Sequence, residues 1–302
     1  MAPISGGKVA ARPEPFGGHN RSDVVTGTEN MNITPIDVFN LLVPKDFGSR
    51  RLASGIAYGR NERHKLDIYG PRRRPATAAL PVVVFFYGGS WETGDRASYA
   101  FVGRALASLG YIVVIPDYRL LPEIEYPAFL DDCAEAVSWV SHNINRHGGD
   151  FTRMALAGHS AGAYNAAMLA LAPNLLSARG LLPGLRGVAG LSGPYDFYPF
   201  DGEVSRRVFG HAPEPQATQP ISHINAASPA MWLGTGDKDR LVLPRNSDNL
   251  AGALRNSGVD AEARHYNGLD HAGTLLALSW PLRLRAPVLA DMGEFLRRIF
   301  AA

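Results

Sequence analysis

Five consecutive residues, Gly158-His159-Ser160-Ala161-Gly162, place a serine between glycines two positions before and two positions after it. A serine hydroxyl is a weak nucleophile at neutral pH and needs a base within hydrogen-bond reach. A sharp turn from a strand into a helix exposes it to one, and at such a turn side chains at the two glycine positions would collide. The flanks fit: Met154 to Ala157 reads as a buried strand and Ala163 to Leu171 as a helix. That helix would point the positive end of its dipole at any oxyanion formed at the serine. At average Gly and Ser usage, about 0.1 chance copies of the pattern are expected in a chain of this size, so its surroundings must carry the argument.

Upstream, Val82-Val83-Val84-Phe85-Phe86 is a run of β-formers that breaks into Tyr87-Gly88-Gly89-Ser90-Trp91. This is the pattern of a buried parallel strand ending in a loop that can aim main-chain N–H groups at developing negative charge. Downstream, Met231-Trp232-Leu233-Gly234 reads as a strand ending in an acidic loop with Asp237 and Asp239. The strand Ala261 to Tyr266 then leads into Asn267-Gly268-Leu269-Asp270-His271. Serine, then carboxylate, then histidine, each on a loop after a strand, can perform acyl transfer. The imidazole of His271 would take the proton of Ser160, and one of the two aspartates would fix its tautomer and stabilise its cation. His159 is expected to be held by the turn and to point away from the base.

These residues need a sheet behind them. Strands are expected near 66–69, 82–86, 111–115, 153–157, 187–191, 230–234 and 261–266, with helices near 99–109, 128–146, 161–172, 245–257 and 288–300. That alternation predicts an α/β fold, with a mostly parallel twisted central sheet and helices on both faces. Residues 1–30, poor in large apolar side chains, are read as a disordered N-terminal extension, and 31–302 as a single domain. Thr34-Pro35-Ile36-Asp37 carries an N-cap, a proline at the first helical position and an acid in the first turn. The segment 34–50 is therefore a candidate partial cap, as is the long proline-rich connection 193–229. The latter opens on Tyr195, Phe197 and their aromatic neighbours, which with Trp91 are the candidate substrate-binding residues.

Composition narrows the function classes. With 46% hydrophobic and 19% charged residues and a net charge of +2, the chain reads as a globule without a nucleic-acid or anionic-membrane partner. No apolar run reaches the ~18–20 residues of a membrane span, and the N-terminus lacks a signal-peptide layout, so a cytoplasmic location is expected. The single cysteine, Cys133, reads as a buried structural thiol. His142, His147, His211 and His223 lack metal-ligand spacing, and neither a phosphate-binding loop nor a dinucleotide fingerprint is found, so no metal and no cofactor are expected. The strand near 261–266 is the element through which two copies could pair into a homodimer.

From about residue 55 to 300 the chain resembles an α/β-hydrolase of the bacterial carboxylesterase kind, close to the hormone-sensitive-lipase-like and feruloyl-esterase-like groups. Besides the motifs above, Asp117-Tyr118-Arg119-Leu120-Leu121-Pro122 followed by Tyr126-Pro127-Ala128 and Asp131-Asp132 resembles the segment after the next strand in that family. The resemblance implies a catalytic set of Ser160, Asp239 and His271. Asp239 is preferred over Asp237 because the family-like run Gly-x-x-Asp-x-x-Val is met by Gly236, Asp239 and Val242. It also implies oxyanion donors at Gly89, Ser90 and Ala161. The family has histidine where this chain has Tyr87; that histidine is not the base, so the departure bears on loop geometry and not on proton transfer. The expected activity is hydrolysis of short-chain carboxylic esters through an acyl-enzyme, rising with pH through an apparent pKa of roughly 6 to 7. Two alternatives share the motifs: amide hydrolysis of the kynurenine formamidase type, and a non-catalytic ligand-binding module on the same fold.

Overall fold

Chain order generates the architecture. In the computed structural model, which describes residues 34–73, 79–172 and 174–301, the elements run α1 (Pro35–Leu42), β1 (Ser49–Ala57), β2 (Lys65–Pro71), β3 (Leu80–Phe86), α2 (Ala100–Ser108), β4 (Ile112–Pro116), α3 (Ala128–Asn143), β5 (Gly149–His159), α4 (Ala161–Leu171), β6 (Leu185–Leu191), α5 (Glu203–Phe209), β7 (Ala230–Gly236), α6 (Arg245–Asn256), β8 (Ala261–Tyr266), α7 (His271–Leu276) and α8 (Val288–Ala301). The eight strands form one sheet in the order β1-β2-β4-β3-β5-β6-β7-β8, in which β2 runs antiparallel to both of its neighbours and β4 to β8 are mutually parallel with β3. This is the α/β-hydrolase fold. The expected N-terminal extension, 1–30, lies outside the described residues.

The apolar runs become the centre of the sheet because parallel strands are covered on both faces. Val82 to Phe86 of β3, Ile112 to Ile115 of β4 and Met154 to Ala157 of β5 are all buried completely. Going from β3 to β4 the chain moves one way along the sheet, and from β4 to β5 it moves back past β3. Right-handed crossovers therefore send α2 to one face and α3 to the other. α8 joins α2, and α4 packs against α3. All eleven residues of α4 are buried, which explains a helix apolar on every side. The reversal also leaves a crevice at the C-terminal ends of β3 and β5, where loops depart to opposite faces; ligand sites of open α/β sheets form at such a switch point.

Three elements differ from the sequence expectation. The edge strand β1 falls outside the expected strands: its sequence Ser-Arg-Arg-Leu-Ala-Ser-Gly-Ile-Ala is mostly exposed or half-buried and carries two register irregularities, so it shows no alternation. The short helices α5 and α7 lie outside the expected helices, since six or seven residues hold too few turns to show a period. The helix expected at the N-terminus forms, and the Asp37 carboxylate accepts from the Thr34 N–H and hydroxyl at 2.7 Å. It docks on the turn before α2, through Asn40 to Ala97 and Phe101 and through Phe39 edge-on to Phe101.

Candidate active site

Ser160 sits where β5 ends and α4 begins, with φ 54° and ψ −124°. A non-glycine residue holds such a conformation only where its neighbours over-determine it. Here a Cβ on Gly158 would lie 2.3 Å from the Gly162 oxygen, and one on Gly162 would lie 2.1 Å from the Phe86 oxygen. The two glycines are thus required by close approach of backbone to backbone. The Ser160 N–H donates to the Leu191 oxygen of the neighbouring β6 at 2.8 Å, which pins the turn to the sheet.

The structure brings Ser160, His271 and Asp239 into one hydrogen-bonded chain. His271 Nε2 lies 2.9 Å from Ser160 Oγ, and His271 Nδ1 lies 2.8 Å from Asp239 Oδ2. A carboxylate accepts, so Nδ1 carries the proton and Nε2 is left with a lone pair facing the hydroxyl. Burial pushes the Asp239 carboxyl up, but its hydrogen bond and charge interaction with His271, the Val242 N–H and the Ser192 hydroxyl together hold it below the usual carboxylate range. Its other oxygen accepts from the N–H groups of Leu241 and Val242 at 3.0 and 2.9 Å. Asp237 is exposed and instead accepts from Gly268 N–H at 2.7 Å, tying the β7 loop to the β8 loop. Asp270 caps α7 through Gly273 N–H, so His271 opens that helix.

Opposite the serine, Gly89, Ser90 and Trp91 follow one another at φ 125°, 57° and 59°. This left-handed run turns the loop back on itself, with the N–H groups of Glu92 and Thr93 both donating to the Gly89 oxygen at 3.0 Å. Gly89 is required there, since a Cβ would meet the Thr93 oxygen at 2.1 Å. Ala161 N opens the eleven-residue α4 directly after the serine. Tyr87, which stands where the resembled family has histidine, is fully buried. Its hydroxyl donates to Asp117 Oδ1 at 3.0 Å and accepts from Arg63 Nη2 at 2.9 Å, while Arg63 also donates to the Gly94 oxygen at 2.7 Å. Beside it, Asp117 is paired with Arg96. These charged partners brace both ends of the Tyr87-to-Gly94 loop.

A cavity of about 190 Å³ opens at Ser160, lined by Trp91, Pro194, Phe197, Val204, Leu241 and Val242 among others. Of the three candidate substrate-binding residues, Trp91 and Phe197 line this cavity. Tyr195 does not: it is fully buried, absent from the lining, and its hydroxyl has no hydrogen-bond partner. Its main chain faces Asn246 instead, which bonds the N–H groups of Tyr195 and Asp196 at 2.9 Å. Alternating aromatics in a proline-rich segment cannot show which one turns inward. Among the cavity-lining residues none comes from 34–50, whereas the 193–229 connection contributes Pro194, Phe197 and Val204. His159 also departs from expectation: it points toward the base, with its ring centroid 4.9 Å from that of His271.

Sequence reasoning missed the residues that hold the site from behind. Asn165, fully buried on α4, accepts the Trp91 indole N–H at 3.0 Å. Ser192, at φ 48° after β6, meets both Asp239 and the Thr274 hydroxyl. A polar residue inside an apolar helix was the available signal for Asn165; Ser192 had none. Among the described residues no group of three or more His, Cys, Asp or Glu could hold a metal ion, and no helix is long and apolar enough to cross a membrane.

The isoprenylcysteine α-carbonyl methylesterase ICME of Arabidopsis thaliana is 32% identical over 262 residues, covering 78% of this chain and 60% of its own. Esterase LipC of Mycobacterium tuberculosis is 28% identical over 220 residues, or 66% and 54%. This chain thus spans a little over half the length of those relatives. Among solved structures, esterase B of Lactobacillus rhamnosis inhibited by a C4-C4 tributyrin phosphonate superposes with a TM-score of 0.75 at 20% identity, covering 88% of this chain and 91% of that one. The family model BD-FAE matches residues 66–254, from β2 through α6 and including the loops that carry Tyr87, Ser160 and Asp239. The chain belongs to the BD-FAE family.

Proposed function

We propose that this protein is a serine carboxylesterase acting on short-chain carboxylic esters, with Ser160, His271 and Asp239 as its catalytic residues. The observation that carries the reading is the chain of hydrogen bonds from Asp239 to His271 to Ser160, at 2.8 and 2.9 Å, on a backbone strained to expose the serine. His271 Nε2 takes the Ser160 proton as Oγ attacks the ester carbonyl. The N–H groups of Gly89, Ser90 and Ala161 receive the oxyanion. The tetrahedral intermediate expels the alcohol, which leaves with the proton from His271, and an acyl-Ser160 remains. Water then gives its proton to His271 and attacks the acyl-enzyme, the carboxylic acid departs, and Ser160 regains its proton. Asp239 stays ionised and stabilises the imidazolium in both halves.

The small cavity supports a short acyl group. Drug-sized ligand sites occupy roughly 300–1,000 Å³, and about 190 Å³ behind Trp91 suits a chain of a few carbons. The esterase names of the relatives support the reaction class. We further infer one catalytic unit from residue 31 onward, residence in the cytoplasm and no resident cofactor. The lone thiol, Cys133, is buried, as suits a reducing compartment. A second copy would meet this one at β8, which with β1 is one of the two edges of the sheet.

The test is initial hydrolysis of p-nitrophenyl esters from acetate to palmitate, wild type beside Ser160→Ala. The expected result is a maximum between two and six acyl carbons and a loss on the order of 10⁴–10⁶ in kcat for the variant. A folded wild type no faster than Ser160→Ala on every ester removes the reading, and turnover of N-formylkynurenine at rates rivalling good esters replaces it with an amidase.

A further inference from the structure

We propose that His159 is a positioning residue for the base: from the position next to Ser160, its Nε2–H holds the main-chain oxygen of His271 and so sets the reach from His271 Nε2 to Ser160 Oγ. This rests on the reading of Ser160, His271 and Asp239 as the hydrolytic set.

The separation between His159 Nε2 and the His271 oxygen is 2.9 Å. A carbonyl can only accept, so Nε2 carries the proton and donates. His159 is covalently joined to the serine and hydrogen-bonded to the backbone of the base; one peptide unit and one hydrogen bond therefore link the two reacting residues. The other ties of the base loop run elsewhere. Gly268 N–H reaches Asp237, the Leu269 oxygen accepts from Lys238 N–H, and Thr274 reaches Ser192, so these ties hold His271 to the loops after β6 and β7. The tie to Ser192 reaches the turn after β5 only through the preceding residue, Leu191, whose oxygen accepts from Ser160 N–H. The His159 bond is the direct link between that turn and the His271 backbone.

The same ring reaches the oxyanion loop. A Cβ built on Gly88 would lie 3.1 Å from His159 Nδ1 and 3.0 Å from Ser160 Cβ. The His159 imidazole thus lies against both the Gly88 loop and the loop that carries His271. Its charge state suits the place. Burial, and after it the neighbouring His271, lower its pKa to about 3, against the raising effects of the His271 carbonyl and Asp239. It therefore remains neutral when His271 becomes an imidazolium, and the two rings, 4.9 Å apart, never carry like charges in the working range.

Glutamine and methionine substitutions test the hydrogen bond at nearly constant size: a glutamine side chain would retain a donor at the end of a flexible chain, and methionine lacks one. His159→Gln and His159→Met would be compared with wild type by two readouts. The first is the downfield Nδ1–H proton of His271 in 15N-histidine-labelled resting protein, which needs no substrate. The second is kcat and KM on p-nitrophenyl butyrate. A misplacement of about 1 Å can cost ~10²-fold in rate. We expect His159→Met to lose about 10- to 100-fold in kcat with KM within about threefold, and to broaden the Nδ1–H signal by exchange. His159→Gln should recover both most of the way. His159→Leu replaces the methionine variant if circular dichroism shows that variant unfolded. A donor-free variant with wild-type kcat and a sharp Nδ1–H signal overturns the proposal, as does a glutamine variant no better than the methionine one. Should the wild type hydrolyse no ester, the esterase reading falls while the resting-state signal still decides the role of His159.

Discussion

The Tyr87 hydroxyl donates to the buried carboxylate of Asp117 at 3.0 Å and accepts from Arg63, at the start of the loop that carries Gly89 and Ser90. A neutral phenol thus stands where the resembled family has histidine, and it is clamped between two charges. Tyr87→Phe keeps the ring and its stacking on Tyr99 and Tyr118 but leaves a buried carboxylate and guanidinium each short of a partner. The expected cost is about 1–3 kcal/mol of stability in urea denaturation. With the loop loosened, kcat should fall roughly 10-fold with KM little changed, because the oxyanion contact strengthens only in the transition state.

The two aspartates of the β7 loop should separate cleanly. Asp239→Asn leaves an amide against His271 Nδ1 and favours the wrong tautomer, so kcat should fall on the order of 10⁴. Asp237→Asn keeps an acceptor oxygen for Gly268 N–H, loses only an exposed charge, and should stay within about threefold of wild type. Steady-state kinetics of the two variants on one ester decides between them; comparable losses would reassign the acid.

Acid sensitivity follows from His159. Its pKa in the folded protein is about 3, below the 6.5 of an unfolded histidine. The unfolded chain therefore takes up a proton that the fold refuses, and stability is full above pH 6.5 and declines as pH falls toward 3. At about 1.4 kcal/mol per unit, the loss between pH 6.5 and 4 is on the order of 3 kcal/mol. Asp239, held below 3.8, adds to the decline only at lower pH, where its carboxylate must finally protonate. Urea midpoints of wild type and His159→Met from pH 7 to pH 4 should converge; parallel curves would mean that His159 is not held neutral.

Trp91 should set acyl length. The indole lines the cavity, packs edge-on against Tyr164 and Phe209, and is fixed by Asn165. Trp91→Ala removes that wall, and the optimum in a p-nitrophenyl ester series should move to longer acyl groups. Each added methylene contributes about 1–3 kcal/mol of discrimination. An unchanged optimum at reduced rate would place the acyl group elsewhere.

The strands that were legible are those with continuous apolar runs: burial on both faces forces Val82 to Phe86 and Met154 to Ala157 to be apolar, and that requirement is written residue by residue. The edge strand β1, half-covered and bulged, carries no such requirement and was invisible. Ser160 and His271 could be named, and the carboxylate narrowed to Asp237 or Asp239, because each occupies a loop that follows a recognisable strand. Tyr195 and Phe197, two apart in one segment, could not be sorted, since whether a loop side chain turns to the core or to the cavity depends on what packs behind it.

The sequence by itself determined the kinds of group present and their order along the chain: a glycine-flanked serine, two aspartates on one loop, a histidine after the last strand. Local sterics and strand-to-helix periodicity act over a few residues and can be read over a few residues. Only the tertiary structure decided that Asp239 and not Asp237 faces His271, that Tyr87 is clamped by Arg63 and Asp117, and that His159 turns inward to hold the base. Those contacts join segments 24 to 112 positions apart, and their distances are set by how strands register in the sheet, a property that no local stretch of chain contains.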